Sequence, residues 1–218
     1  WIEAMNHRVI PIFPLNTVIF PGGKLSLRIF EDRYKRMLKY CVSKDSIFGI
    51  NLIRQGYEVG IPAVPYDVGT IVNFSDHSFS GSEEEIFLEV AAKERFRILK
   101  ILNDRPYLLA EIADYSDCTK EIIYNQKIED DFRTQVLEFI KNVVSINGGW
   151  IKDPKLPEDF NEFVWYVSSF LQIPNKTKLT ILETSNVYQR AELVLDQIKN
   201  QQLEIQKILK NHRSQKSN

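Results

Sequence analysis

The chain has 218 residues, with 28 basic and 29 acidic side chains, a formal net charge of −1, and 44% hydrophobic residues. It lacks the excess of Lys and Arg that binding to a nucleic-acid backbone uses, and it has no run of about 18 apolar residues that would predict a membrane helix. Its two cysteines, Cys41 and Cys118, are far apart, which favours a reducing compartment. We therefore expect a globular cytoplasmic protein that binds neither nucleic acid nor membrane.

The first half of the chain predicts a β-rich domain. Alternating or continuous apolar runs, separated by turns rich in Pro and Gly, give seven strand-like segments at 12–15, 24–29, 47–53, 68–74, 86–90, 95–102 and 106–113, from which we expect a domain of about six strands. Between the second and third runs, apolar residues at helical spacing predict one helix over 31–42. The stretch 55–67 reads as turns, and the polar stretch 75–85 reads as an exposed hairpin tip. Short strands with one early helix suggest a small closed or half-closed β-barrel.

The second half predicts helices. After Asp114 the apolar period changes from two to 3.6, which gives three main helical stripes and one short helix at about 175–183. Asn186 and Gln189 form a capping box at the start of the last helix. We expect an α+β protein: a barrel domain at 8–117, a linker at 118–125, a four-helix bundle at 126–212 and a disordered tail at 213–218.

The most specific pattern lies near the start of the chain. From Pro14 to Tyr34 it reads Pro-Leu-x-Thr-Val-Ile-Phe-Pro-Gly-Gly-x-Leu-x-Leu-Arg-Ile-Phe-Glu-x-Arg-Tyr, followed in order by Val68-Gly-Thr, Arg95-Phe-Arg-Ile and Lys178-Leu-x-x-Leu-Glu. In this order the motifs resemble the LON domain, the N-terminal substrate-binding region of Lon proteases. The Arg28-Ile-Phe-Glu pattern is most similar to free-standing bacterial LON-domain proteins. The resemblance implies a PUA-like barrel followed by helices, and a module that binds exposed hydrophobic segments of partner polypeptides.

No catalytic motif accompanies this resemblance in the sequence. A phosphate-binding loop needs Gly-x-x-x-x-Gly-Lys-Ser/Thr, but Val18 and Leu25 stand where the first glycine and the hydroxyl would be before and after Gly23-Lys24. None of the three histidines, His7, His77 and His212, has metal-ligand spacing. We therefore predict a non-enzyme without a cofactor or metal.

Candidate binding residues cluster where the first hairpin meets the helix. They combine aromatic area with a cation, which suits peptide capture: Phe20, Pro21, Phe30, Arg33 and Tyr34. Core packing of Phe30 and Tyr34 is the competing interpretation. The expected partners are unfolded or partner polypeptides, with a protease as a further candidate.

Two alternatives remain open at this stage. The chain could be an excised N-terminal fragment of a complete Lon protease. It could also be a PUA-like RNA-binding module, which would require a basic stripe on one face, made by Arg33, Arg36, Lys39, Arg95 and Arg97.

Overall fold

The computed structural model describes residues 8–60, 63–75, 78–82, 84–102, 105–118, 125–146 and 154–215. Its backbone divides into two compact units. The sheet unit comprises Trp1–Asp117 and Pro174–Ser185, and the helical unit comprises Cys118–Ile173 and Asn186–Asn218. The chain thus leaves the sheet unit and returns to it for one short segment.

Strands dominate the described part of the sheet unit. The strands are β1 (Arg8–Leu15), β2 (Lys24–Ile29), β3 (Ile47–Gln55), β4 (Val64–Asn73), β5 (Phe79–Gly81), β6 (Ile86–Leu102) and β7 (Leu108–Asp114). Two helices accompany them, α1 (Asp32–Val42) and α4 (Asn175–Glu183). The helices of the helical unit are α2 (Gln126–Ile146), α3 (Phe160–Phe170) and α5 (Val187–Gln215). None of the described helices is long and apolar enough to cross a membrane.

The strands form one mixed sheet. β1 pairs in parallel with β3, whereas the other pairings are antiparallel. Successive pairings run β6–β4–β3–β1–β7 and return to β6, so these five strands are connected in a ring. β2 and β5 both pair with residues 86–88 of β6 and therefore lie on its two opposite edges.

The ring of strand pairings requires a long β6, because β6 pairs with both β4 and β7. The sequence predicts separate strands at 86–90 and 95–102, but the structure has one strand of 17 residues, because the stretch between them contains no Pro or Gly to end it. A register shift opposite Thr70–Val72 marks an irregularity in its ladder with β4. Such irregularities bend strands, and the two halves of β6 pair with β2 and β7 respectively. Strand structure also reaches into both predicted turn regions, since β4 begins at Val64 and β5 lies at 79–81.

The main core lies between α1 and the sheet. The predicted stripe of α1 is buried at Tyr34, Met37, Leu38 and Cys41, and these side chains pack with buried residues of β1, β2, β3, β4 and β6. Val42, which continues the same spacing, is exposed because it is the last helical residue.

Two glycines permit close packing inside the sheet unit. A Cβ on Gly49 would lie 2.4 Å from the Phe96 ring, and one on Gly69 would lie 2.5 Å from the Asn51 side chain. Both contacts are shorter than van der Waals distance, so the interior face of β3 and β4 requires glycine at these positions. Glycine is therefore needed in the Val68-Gly-Thr motif, because the Asn51 side chain occupies the space where a Cβ of residue 69 would lie.

Aromatic packing organises the helical unit. The Phe132 ring meets Phe160 and Phe163 edge to face, with centroids 5.5 and 5.4 Å apart. The buried guanidinium of Arg190 lies 3.7 Å above the Trp165 ring and donates to the Asn161 side chain. Helix α3 therefore contacts α2 through aromatic rings and contacts α5 through the stacked, hydrogen-bonded Arg190.

The short helix α4 belongs to the sheet unit, whereas the sequence pattern predicts it as part of the four-helix bundle. Its C-terminal end is held by Arg95 of β6, whose guanidinium donates to the carbonyls of Leu182 at 2.6 Å and Thr184 at 3.1 Å. The predicted linker lies mostly outside the described residues, as do His7, His77 and the end of the predicted tail. Helix α5 continues to Gln215.

Candidate functional site

Phe30 is an exposed aromatic side chain at the junction of β2 and α1. It is 46% exposed, and the Arg28 guanidinium lies 5.8 Å from its ring centroid. Arg28 also donates through Nε to the Glu85 carboxylate. Across the ladder from Arg28, the Phe87 side chain is exposed as well. This end of the β2–β6 pair thus presents the rings of Phe30 and Phe87 beside Arg28, whose charge is compensated by Glu85.

Other candidate residues from the sequence lie inside the protein. Phe20 is buried, Pro21 is half-buried, and Tyr34 is buried with its ring 4.2 Å from Phe13. Burial raises the pKa of Tyr34 to about 12, which leaves its hydroxyl neutral at physiological pH. Phe20 and Tyr34 are therefore core residues, whereas Phe30 is exposed.

Arg33 is part of a polar clasp. Its Nη2 donates to the Glu31 carboxylate and to the backbone carbonyl of Glu58, each at 3.2 Å, while its guanidinium lies 4.4 Å from the Tyr34 ring centroid. The other Glu31 oxygen accepts from the Gly60 amide at 3.2 Å. The clasp, defined as Glu31, Arg33 and Glu58, ties the β3–β4 loop to the start of α1.

Two further exposed apolar side chains are chain neighbours of a clasp residue, as Phe30 is. Tyr57 is 83% exposed and Val59 is 56% exposed, and they flank Glu58 in sequence, just as Phe30 precedes Glu31. We call Phe30, Tyr57 and Val59 together the corner surface. The composition of 55–67 predicts turns and does not single out Tyr57 or Val59 as binding residues. The available signal was apolar residues alternating with Glu58 between Gly56 and Gly60, which a purely solvated loop does not require.

The helical unit has a separate apolar groove of about 470 Å³. Residues of α2 and α3 line it, among them Phe139, Tyr166 and Phe170. Tyr166 and Phe170 are both exposed and their rings lie 4.8 Å apart. The sequence places Phe170 on an apolar helix stripe, but α3 ends at this residue and its ring remains accessible.

The five basic residues that would form the hypothetical stripe differ in burial and in their contacts. Arg95 is buried and bonded to Asp117 and to backbone carbonyls, and Arg33 belongs to the clasp. The Arg97 guanidinium stacks over Tyr115 at 4.6 Å. Only Arg36 and Lys39 remain exposed on α1 without such a contact among the described residues. This arrangement does not favour binding to a phosphate backbone.

Groups suited to metal binding or nucleophilic chemistry are not assembled in the described part. No cluster of three or more His, Cys, Asp and Glu side chains that could hold a metal ion is found there. Cys41 is buried and its pKa is raised to about 12 by desolvation, so the thiol is protonated and packs as an apolar group.

Comparison with known proteins agrees with the fold and the motifs. A family model described as the ATP-dependent protease La (LON) substrate-binding domain matches residues 9–200. The chain belongs to this family. The LON resemblance of the sequence motifs is thereby confirmed, and the family is one of substrate-recognition domains.

Among curated relatives of this LON domain, the Lon protease of Anaeromyxobacter dehalogenans (strain 2CP-C) is 27% identical over 217 residues, covering 92% of the chain and 24% of the relative. Lon protease 2 of Myxococcus xanthus is 27% identical over 213 residues, covering 92% and 24%. The chain therefore spans about a quarter of the length of these relatives.

Two solved structures share the fold of this LON domain. The Lon N-terminal domain protein from Xanthomonas campestris has a TM-score of 0.62 at 22% identity, covering 87% of the chain and 98% of that structure. The N-terminal domain of Mycobacterium avium complex Lon protease has a TM-score of 0.64 at 13% identity, covering 88% and 98%. The mixed sheet with accompanying helices is thus a Lon N-terminal fold.

Proposed function

We propose that the chain is a non-catalytic module that recognises exposed hydrophobic segments of partner polypeptides at the corner surface. The observation that carries the proposal is a set of three accessible apolar side chains, Phe30, Tyr57 and Val59, each of which adjoins a clasp residue in the chain. Aromatic side chains presented on a rigid support are the usual anchors of protein interfaces. Membership of a substrate-binding family supports the same conclusion.

The proposal includes the architecture and the biological setting. The ring of strand pairings is consistent with a small PUA-like barrel, and the helical unit then follows as a second domain. We expect the module to act in the cytoplasm, and we expect a protease to receive the polypeptide that the module binds. The same recognition role applies whether the module acts alone or at the N-terminus of a longer protease.

The experiment that tests this function is binding of an unfolded polypeptide. Labelled, reduced and carboxymethylated lactalbumin is titrated with the chain at low and high salt, using fluorescence anisotropy, with single-stranded RNA as the parallel ligand. We expect binding of lactalbumin that persists at high salt, because apolar contacts are not screened. Binding of RNA that weakens steeply with salt, together with no binding of lactalbumin, would contradict the proposal.

Substitutions locate the binding surface. Phe30→Ser removes a ring that is 46% exposed from the corner surface, and Leu99→Ser removes an apolar side chain that is 44% exposed from the far half of β6 as the matched control. A single interface anchor contributes about 1–2 kcal/mol, which corresponds to roughly 5- to 30-fold in affinity. Equal affinities of the two variants would place the site elsewhere.

A further inference from the structure

We propose that the outer edge of β2 is a docking site for one extended peptide strand, which joins the sheet with an acidic side chain near Lys24 and an apolar side chain near Phe30. The inference rests on the proposed polypeptide-binding function and specifies how a segment is held. Added strands gain affinity from backbone hydrogen bonds and selectivity from alternate side chains.

The outer edge of β2 carries unpaired backbone groups. The amide of Ala92 donates to the carbonyl of Gly23 at 2.8 Å, and the amide of Gly22 donates to the carbonyl of Ala92 at 3.1 Å, so the bonded position of the ladder lies at Gly23 and Ala92. Bonded and non-bonded pairs alternate along an antiparallel ladder, so Lys24, Ser26 and Arg28 are in non-bonded pairs with β6. Their N–H and C=O groups point away from β6, and no described residue bonds them.

The same edge is accessible and regular. Lys24, Ser26 and Arg28 are exposed, while Leu27 and Ile29 face the core. The β2–β6 register is continuous from 24 to 29, without a bulge or a proline in β2. Exposed strand edges that lack such interruptions are the usual templates for an added strand.

Charge and apolar side chains along the exposed face define the chemistry of the occupant. Lys24 makes no ion pair with a described residue, and the side chain of Lys93 lines the same shallow pocket together with Glu89. At the other end, Phe30 and Phe87 are exposed and the charge of Arg28 is compensated by Glu85. A complementary strand therefore carries a carboxylate and an apolar side chain about six positions apart, where side chains share one face.

A second copy of this chain fits the edge less well. The two-fold antiparallel pairing of β2 with itself that makes most use of the outward groups is centred on Ser26, and it sets Lys24 directly opposite Arg28 of the other copy. No free carboxylate then stands opposite Lys24, because Glu85 of the other copy is already paired with Arg28. The edge thus favours a different polypeptide that supplies the carboxylate.

Proline at position 26 tests the proposal on the full chain. Ser26→Pro removes an outward N–H and blocks an added strand, but it leaves the bonds to β6 intact, since proline is tolerated on edge strands. Ser26→Ala retains the N–H and is the matched control. The probe is a labelled peptide of about nine residues that alternates Thr and Val and carries Phe and Glu about six positions apart.

Wild-type protein and Ser26→Ala should bind this peptide, and Ser26→Pro should bind it about tenfold more weakly or not at all. On binding, amide hydrogen exchange at Ser26 and Arg28 should slow, while exchange at Leu27 should not change. Equal binding by Ser26→Pro, absence of the protection at Ser26 and Arg28, or self-association of the chain that produces this protection without peptide would each overturn the proposal.

Charge reversal provides a second measurement that does not require proline. Lys24→Glu should lose affinity for the Glu peptide and gain it for the peptide with Lys in that place, and a failure of this exchange counts against the edge. If carboxymethylated lactalbumin binds Ser26→Pro as tightly as wild type, the edge proposal is refuted while the proposed function stands. If lactalbumin does not bind the wild-type protein, the proposed function fails, and the peptide measurements alone decide whether the β2 edge is a docking site.

Discussion

Arg95 and Arg97 offer a matched pair of substitutions that tests what joins α4 to the sheet. Both lie on β6, and their guanidinium groups stack over the Tyr115 ring at 4.9 and 4.6 Å. Arg95 is buried and donates to the carbonyls of Leu182 and Thr184 and to the Asp117 carboxylate. Arg97 is exposed. The two residues therefore differ mainly in burial and in hydrogen bonding.

Replacement of each arginine by methionine separates these contributions. Arg95→Met removes the hydrogen bonds to Asp117 and to two carbonyl groups, and removing one partner of a buried ion pair costs about 3–5 kcal/mol. Arg97→Met removes an exposed stacking contact worth about 0.5–1 kcal/mol. We expect Arg95→Met to lower the free energy of unfolding by at least about 2 kcal/mol more than Arg97→Met does.

Urea unfolding followed by circular dichroism, with amide hydrogen exchange of α4 in parallel, measures the difference. The amides of Asn175–Glu183 should lose protection in Arg95→Met and retain it in Arg97→Met. A difference in unfolding free energy below about 1 kcal/mol, or unchanged exchange in α4, would show that apolar packing rather than Arg95 holds this helix.

Three further predictions concern the clasp, a buried hydroxyl and a close contact. Glu31→Ala should speed amide exchange at Gly60 and weaken lactalbumin binding, and unchanged exchange would show that the clasp does not restrain the loop. Tyr34 contributes stability fully below its unfolded pKa near 10, and this contribution is lost as the pH rises through its folded pKa of about 12. The stability of wild type relative to Tyr34→Phe should therefore fall across this range, by about 1.4 kcal/mol per unit of pKa difference, and a constant difference in urea unfolding would contradict it. Gly49→Ala should cost about 1–3 kcal/mol because its Cβ would overlap the Phe96 ring, and a thermal unfolding scan without a shift would contradict this.

Local patterns predicted the elements of the fold better than their connections. The α1 stripe from Tyr34 to Cys41 was correct because amphipathic spacing decides which helix face is buried. The parallel pairing of β1 with β3 and the return of β7 to β6 depend on contacts between distant residues. Periodicity also predicted α4 as a helix, but its placement in the sheet unit depends on the bonds of Arg95, which no local pattern contains.

The candidate site, like the strand connections, could be predicted only in part from local sequence patterns. Among the candidate residues, sequence chemistry alone could not separate Phe30 from Tyr34, which are four positions apart and both aromatic. The structure exposes Phe30 because it precedes the helix, whereas Tyr34 begins the buried stripe. The Arg33 side chain is bonded to Glu31 and to the Glu58 carbonyl in the clasp, which the sequence does not indicate. Tyr57 was missed because turn composition predicts a surface loop without showing what restrains it.

The clasp gives the exposed side chains of the corner surface a physical basis for recognition. Tyr57 and Val59 gain little from folding, since they remain in contact with water. Their loop is nevertheless held by bonds from Arg33 to the Glu58 carbonyl and from Gly60 to Glu31. Ordering this loop before binding lowers the entropy that a partner must overcome. A loop needed only to connect β3 and β4 would require neither these apolar side chains nor this restraint, and their combination is what favours a binding surface.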